Sequence, residues 1–278
     1  MNTELAARSD NRPQSALRRL VGRWSLTVWA VLGLAYLFAP IAFIVVFSFN
    51  KPSTRFNYEW AQFSFDAWLH PFAKEELTDA LWVSLRVAAI AMVAATILGS
   101  LIALALARYQ FRGGALVNLL LVLPLTTPEV VFGFSLFALF FDRGIDRGFW
   151  TIVIAHVSFC VSFVALTVKA RIRGFDWTLE HAAMDLGATP WRTFRTITLP
   201  LITPGILAAG LLSFALSIDD FIITLFNAGS TVTFPLQIFG AQQREVPPQI
   251  NVLATMILLI SIGIVVLSTL VRLRRDKV

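Results

Sequence analysis

The sequence predicts an all-α, polytopic membrane protein with six transmembrane helices and both termini in the cytoplasm, and three observations support this fold class. Hydrophobic residues make up 57% of the 278 residues and charged residues only 14%, which is too apolar for an ordinary soluble domain. The apolar residues fall in long runs that short polar segments separate. Sixteen of the 23 Lys and Arg residues lie in segments that six spans place on one side of the membrane.

Composition also excludes several classes of function. The formal net charge is +6, but the basic residues flank apolar runs instead of lining an aromatic groove, which argues against a nucleic-acid partner. Cys160 is the single cysteine, so the chain has no internal disulfide or thiolate metal site. The sequence contains no Gly-Lys-Ser or Gly-Lys-Thr phosphate loop. If ATP powers this protein, another chain binds the nucleotide.

The first 79 residues divide into a tail, a span and a connector. Residues 1–23 contain five arginines and are expected to form a cytoplasmic tail. The apolar run at 24–49 predicts the first transmembrane helix, which Pro40 can kink. Residues 50–79 are predicted to form an extracytoplasmic connector, and their aromatic density is typical of a segment along the outer interface. These aromatic residues are Trp60, Phe63, Phe65, Trp68 and Phe72.

Residues 80–273 are predicted to form a transmembrane core with five further helices. The second span, at 80–107, has a small-residue face that lets another helix approach closely. That face consists of Ala91, Ala95, Gly99, Ala103 and Ala107. The third span, at 115–141, includes Pro124 and Pro128, so its helix is expected to be broken or kinked. The fourth span follows at 149–168, the fifth runs from 201 to Asp219, and the sixth lies at 251–273. Residues 274–278 are predicted to form the cytoplasmic tail.

Four ionisable residues lie within or next to these spans. Helix rise places Glu129 roughly 21 Å and Asp219 roughly 27 Å from the cytoplasmic start of their spans, with Asp220 beside Asp219. His156 lies about 10 Å from the outer end of the fourth span. All four fall in the outer half of the membrane, where ionisable groups usually face a water-filled path or a partner charge. We expect them to line the path of a cationic solute.

A structural interpretation of the same residues remains open at this stage. The two aspartates can cap the end of the fifth span, and Ser or Thr partners can hold Glu129. His156 lies on an aromatic helix, where a lone histidine is typically packed and hydrogen-bonded.

The stretch from Glu180 to Pro200 is the longest polar interruption in the second half of the chain. Thr178 or Asp176 can cap a short helix through Leu186, and Gly187 can adopt the left-handed turn that ends it. Thr189 and Pro190 provide an N-cap and first-turn proline for a second helix. The sequence thus predicts a helix, a glycine elbow and a helix. A mere connector between two spans is the alternative.

This stretch resembles the cytoplasmic coupling loop of ABC importer permeases. The motif of that loop is Glu-Ala-Ala, three residues, Gly, nine residues, Ile, one residue and Leu-Pro. Six positions match it: Ala182, Ala183, Gly187, Ile197, Leu199 and Pro200. His181 occupies the position of the motif's Glu, and Glu180 lies one residue upstream, about 100° around the helix. The resemblance implies that residues 169–200 form an ATPase coupling loop within a type I importer permease fold.

The resemblance extends from about 78 to 273 and is to the permease subunits of spermidine and putrescine ABC importers. It rests on the Thr-Pro-Glu segment ending at Glu129 and on the Ser-Ile-Asp-Asp-Phe run ending at Phe221. It implies a non-catalytic permease in a bacterial inner membrane, with no cofactor of its own. The implied partners are a second, different permease chain, two ATP-binding subunits that carry ATP and Mg²⁺, an extracytoplasmic solute-binding protein and membrane lipid.

Three other functions are alternatives to a polyamine permease. A related permease can carry an opine or an amino acid derivative. A proton-coupled secondary transporter using the same acids predicts an internal repeat, which the sequence does not show. An intramembrane hydrolase requires paired catalytic residues, and His156 has no evident serine or metal partner.

Overall fold

The computed structural model describes the backbone of residues 16–275 and the side chains of residues 27–263 and of Val266. These residues are mainly helical, with one two-stranded antiparallel sheet. The elements, in chain order, are α1 (Ala16–Phe47), β1 (Asn50–Lys51), β2 (Gln62–Phe63), α2 (Asp66–Leu69), α3 (Glu75–Arg108), α4 (Gly114–Thr126), α5 (Glu129–Asp142), α6 (Phe149–Ile172), α7 (Thr178–Asp185), α8 (Pro190–Thr193), a π-helical segment (Phe194–Thr198), α9 (Leu199–Ile218), α10 (Ile222–Asn227), α11 (Phe234–Ala241) and α12 (Pro248–Arg275).

Within the described residues, four helical stretches are long and apolar enough to cross a membrane, or five if a bent pair counts as one span. They are Thr27–Phe47, Glu75–Arg108, Phe149–Ile172 and Pro190–Ile218, and the bent pair is α4 with α5. The chain is therefore a multi-pass membrane protein. The predicted sixth span corresponds to α12, whose described apolar part is Pro248–Gly263. Its remainder, most of the predicted N-terminal tail and the end of the C-terminal tail lie outside the fully described residues.

The predicted interruption of the third span is confirmed. Helix α4 ends at Thr126, α5 begins at Glu129, and the two axes differ by 112°. Pro128 lacks an N–H, and Thr127 before it has an extended backbone, which is the conformation favoured before proline. Thr127 closes the last turn of α4, because its N–H and its hydroxyl both donate to the carbonyl oxygen of Leu123.

The fifth span begins earlier than predicted. A continuous helical path runs from Pro190 to Ile218 instead of starting at 201, and it passes through the π-helical segment. Pro200 and Pro204 lie just after this segment and each lack an N–H, so two ordinary α-helical bonds are missing in the first turns of α9. A π-turn is a local way to accommodate such a mismatch without ending the helix.

Residues 72–246 form one compact unit, in which α3, α6 and α9 pack on one another. The small-residue face of α3 is buried at Ala91, Ala95, Gly99 and Ala103, whereas Ala107 is exposed. A Cβ added to Gly99 would lie only 2.7 Å from Cγ1 of Val164 on α6. Close contact of α3 and α6 therefore depends on the absence of a side chain at this position.

The described parts of residues 1–71 and 247–278 form the second compact unit. Its sheet is held by the buried pair Asn50 and Asn57, since Nδ2 of Asn50 donates to Oδ1 of Asn57 over 2.7 Å. Aromatic rings of the connector pack together in this unit, and the ring of Phe49 stacks on Trp68 with centroids 5.3 Å apart. Helix α3 begins at Glu75, so the connector is shorter than the predicted 50–79.

We predict that Gly99→Ala destabilises the protein. The added methyl group overpacks the contact of α3 with α6, at a cost of about 1–3 kcal/mol. Thermal unfolding of the purified protein in detergent should show a lower Tm.

The matched control is Gly33→Ala on α1, where an added Cβ has no described atom within 4 Å. That variant should unfold at the wild-type temperature or slightly above it, because alanine favours helix. Equal Tm values for both variants would contradict the assigned packing.

Candidate functional site

Two acidic residues with exposed side chains lie at helix breaks. Glu129 is the first residue of α5 and directly follows Pro128. Asp219 follows the last residue of α9. The two residues are 90 positions apart in sequence. Both side chains are accessible on the surface of this chain.

Close packing of α5 on α10 brings the two breaks together. A Cβ added to Gly133 would lie 3.1 Å from the Cα of Ile223, and Nδ2 of Asn227 donates to the carbonyl oxygen of Gly133 over 3.1 Å. Glu129 precedes Gly133 by four residues and thus shares its helix face. This geometry places the start of α5 beside the junction of α9 and α10.

Asp220 has a different role from Asp219. Its side chain is largely buried, and its Oδ1 accepts the backbone N–H groups of Ile223 at 2.9 Å and Thr224 at 3.3 Å. These bonds satisfy the first turn of α10. Asp220 therefore caps the helix after the break, whereas Asp219 terminates α9. The predicted capping of the fifth span applies to Asp219 alone.

The structure favours the packing interpretation of His156 over a place on the solute path. The residue is only 2% exposed. Its Nδ1 lies 2.7 Å from Oγ of Ser217, and its Nε2 lies 2.9 Å from Oγ1 of Thr224. The same Nε2 is 3.8 Å from Oδ2 of Asp220. His156 thus joins α6 to the end of α9 and to α10. It is buried beside the break between α9 and α10.

The predicted helix, glycine elbow and helix are present in the coupling stretch. Helix α7 ends at Asp185, one residue before the predicted Leu186, and Gly187 has φ +87° in the left-handed region. Oγ1 of Thr189 accepts the N–H of Arg192, as predicted for an N-cap. Asp176 accepts hydrogen bonds from the hydroxyl and N–H of Thr178 just before α7, and these bonds hold its pKa below the ordinary value.

An apolar surface is exposed around the glycine elbow. Leu186 is 90% exposed and Trp191 is 69% exposed. The ring of Trp191 stacks on Phe194 with centroids 5.7 Å apart, which fixes its position on the surface. Large apolar side chains that are exposed on both sides of a turn in a polar stretch indicate a protein contact. We call Leu186 and Trp191 the elbow surface.

Glu180 and His181 differ in exposure. Glu180 is 4% exposed, whereas His181 is exposed on the surface of α7. The sequence left open whether Glu180 could replace the motif's Glu from a rotated position. Because its carboxylate is turned into the protein, Glu180 does not present a charge on the outer surface of α7.

The other motif residues are distributed along the stretch. Ala182 is exposed and Ala183 is half-buried, both on α7. Ile197 lies in the π-helical segment, and Leu199 and Pro200 are the first two residues of α9. The motif therefore covers both the elbow and the start of the fifth span.

Sequence reasoning missed several polar partners. Ser217 and Thr224 contact His156, while Arg108 and Thr198 contact Glu180. The spacing from Asp220 to the N–H of Ile223 is a recognisable capping signal. The partners of Glu180 lie 72 residues before it and 18 after it, and no local pattern connects them.

Comparisons with known proteins agree over most of the chain. Residues 95–277 match the family of binding-protein-dependent transport system inner membrane components. The spermidine/putrescine transport system permease protein PotC of Haemophilus influenzae is 40% identical over 238 residues, 85% of this chain and 92% of that protein. The putrescine transport system permease protein PotI of Escherichia coli K12 is 39% identical over 244 residues, 84% of this chain and 85% of that protein.

The fold also matches a solved structure. The crystal structure of a bacterial ABC transporter involved in the import of the acidic polysaccharide alginate has a TM-score of 0.66. The match covers 91% of this chain and 98% of that chain at 15% identity, so it describes the fold alone.

We predict that Asp220→Ala destabilises the protein more than Asp219→Ala does. Loss of the Asp220 carboxylate leaves two N–H groups of α10 without their acceptor, at a cost of about 0.5–2 kcal/mol. Thermal unfolding in detergent should show a lower Tm for Asp220→Ala and a Tm near wild type for the neighbouring variant. The reverse order would contradict the assigned roles.

Proposed function

Since the chain belongs to the family of binding-protein-dependent transport system inner membrane components, we propose that it is the permease subunit of an ATP-driven ABC importer for spermidine, putrescine or a related organic cation. Its fold is that of the ABC importer permeases. The observation that carries the substrate class is the similarity to the polyamine permeases PotC and PotI over most of the chain. The permease has no catalytic role of its own in transport.

The elbow surface is the proposed contact with an ATP-binding subunit. It presents the exposed side chains of Leu186 and Trp191 before and after the left-handed turn at Gly187. ATP and Mg²⁺ bind the partner subunits, whose movement reaches this chain through α7. The motif's Glu is replaced by exposed His181, so the partner meets an imidazole at this point instead of a carboxylate.

The proposed complex contains two ATP-binding subunits, a second and different permease chain, and an extracytoplasmic solute-binding protein. The excess of basic residues in the tails and in 169–200 supports a cytoplasmic location for these segments in the bacterial inner membrane. The family description supports delivery of solute by a binding protein. The second permease supplies the other wall of the solute path.

Glu129 and Asp219 are the proposed contacts for the passing cation. Their carboxylates are exposed at two helix breaks that the packing of α5 on α10 brings together, whereas Asp220 and His156 make buried contacts. An ammonium group has three donors, and an ionised carboxylate accepts such hydrogen bonds. Each charge-assisted hydrogen bond contributes about 1.5–3 kcal/mol. Since release must also be fast, most of the affinity belongs to the binding protein.

Reconstituted transport tests this proposal. The complete complex in liposomes should take up spermidine or putrescine when ATP and the loaded binding protein are supplied, and should not take up a neutral sugar. We predict that Glu129→Gln and Asp219→Asn each lower polyamine uptake by roughly 10- to 100-fold, the equivalent of one lost charge-assisted bond. Complex assembly and basal ATP hydrolysis should stay near wild type.

Asp142→Asn is the matched control, since Asp142 is an exposed acid at the opposite end of α5. Its uptake should equal that of wild type. Normal polyamine uptake in both Glu129→Gln and Asp219→Asn would remove the two acids from the solute path.

The glycine elbow gives a second prediction. Gly187→Val forces a β-branched residue into the left-handed region, which costs about 1–2 kcal/mol and favours a different turn. Binding-protein-stimulated ATP hydrolysis should fall. Gly187→Asn should retain most of it, because asparagine tolerates this conformation.

The two variants separate backbone conformation from bulk, since no described atom lies within 4 Å of a Cβ added to Gly187. Equal activities for the Val and Asn variants would show that the left-handed turn is not required for coupling.

A further inference from the structure

Glu180 connects three separate parts of the chain. It lies on α7, next to the elbow surface, and its Oε2 accepts a hydrogen bond from the Arg108 guanidinium. Its Oε1 accepts a hydrogen bond from the hydroxyl of Thr198. Arg108 is the last residue of α3, and Thr198 directly precedes α9. One buried carboxylate therefore ties α7 to the ends of two spanning helices.

The surroundings hold this connection in place. Glu180 is almost completely buried, and an unpaired carboxylate there would be strongly unfavourable. The guanidinium of Arg108 also lies over the ring of Trp177, 5.8 Å from its centroid, and Trp177 directly precedes α7. Movement of α7 away from α3 would thus break an ion pair and a cation–π contact together.

Helix α9 extends from this connection to the acidic site. It contains 20 residues and is about 30 Å long. Thr198 precedes its first residue and Asp219 follows its last. A displacement of Thr198 along the helix axis would therefore reach Asp219, because an α-helix packed on α3 and α6 is stiff along its length.

We propose that Glu180, Arg108 and Thr198 form a transmission latch, which passes movement of α7 to α3 and α9 during transport. This inference rests on the proposed function and assigns the three residues a positioning role within it. The latch makes no contact with solute or nucleotide. A displacement of the elbow surface is thereby passed to α9, whose last residue directly precedes Asp219.

Two variants cut the latch without leaving an unpaired buried charge. Thr198→Val removes the hydroxyl that bonds Glu180 and keeps the ion pair and the side-chain shape. The double variant Arg108→Gln with Glu180→Gln removes both charges of the ion pair together. Thr196→Val is the matched control, because the Thr196 hydroxyl donates only to the carbonyl oxygen of Arg192 within its own helix.

The experiment uses the complete complex in liposomes and the binding protein loaded with spermidine. Four quantities are measured: assembly, basal ATP hydrolysis, stimulated ATP hydrolysis and uptake. We predict that both latch variants assemble and retain basal hydrolysis, while stimulated hydrolysis and maximal uptake rate fall roughly tenfold. The concentration of loaded binding protein that gives half-maximal uptake should not change. Thr196→Val should behave as wild type.

Wild-type stimulation and uptake in either latch variant would overturn the proposal. A proportional loss of assembly, basal hydrolysis and uptake would also overturn it, because that result assigns the three residues to folding alone. Failure of the proposed function is distinguishable from both results, since the wild-type complex itself would then show no spermidine-stimulated hydrolysis.

Discussion

Backbone polar groups need partners wherever a membrane helix is interrupted, and this constraint determines the acidic site. At the first break, Thr127 closes the last turn of α4 by donating twice to Leu123. At the second, Asp220 accepts two N–H groups at the start of α10. An acid at the start of a helix is also favoured by the helix dipole, which applies to Glu129 on α5. The breaks therefore create positions where carboxylates are stable, and the two that stay exposed are the proposed contacts for the cation.

Local chemistry made part of this structure predictable from the sequence. Pro128 indicated the break in the third span, Gly187 indicated the left-handed elbow, and Thr189 indicated the cap after the elbow. Each of these features depends on backbone geometry within a few residues. The π-helical segment was not predicted, since it reflects how two prolines are accommodated within a long packed helix. The partners of Glu180 and His156 were missed because only the packing of α3, α6 and α9 brings them together.

Two pairs of adjacent residues divide structural and functional roles in the same way. Asp220 is turned inward and Asp219 outward, while Glu180 is turned inward and His181 outward. On α7, neighbours point about 100° apart, and at the break after α9 the chain changes direction, so in each pair one residue makes buried hydrogen bonds while the next is exposed. Sequence inspection groups such neighbours as one charged cluster. Their burial distinguishes them, and it identifies Asp219 instead of Asp220 as the acid expected to bind a cation.

An ion pair at the start of α9 suits the proposed transfer of movement between helices. A purely apolar contact between α7, α3 and α9 could stabilise the fold equally well, because buried ion pairs contribute little net stability over well-packed apolar side chains. An apolar contact, however, permits sliding, since dispersion depends weakly on direction. The carboxylate of Glu180 has two oxygens with one partner each, Arg108 and Thr198, so the three helix ends keep a single register. These hydrogen bonds contribute directionality more than stability. A directional contact at one end of a helix is what allows a displacement to be passed to the other end.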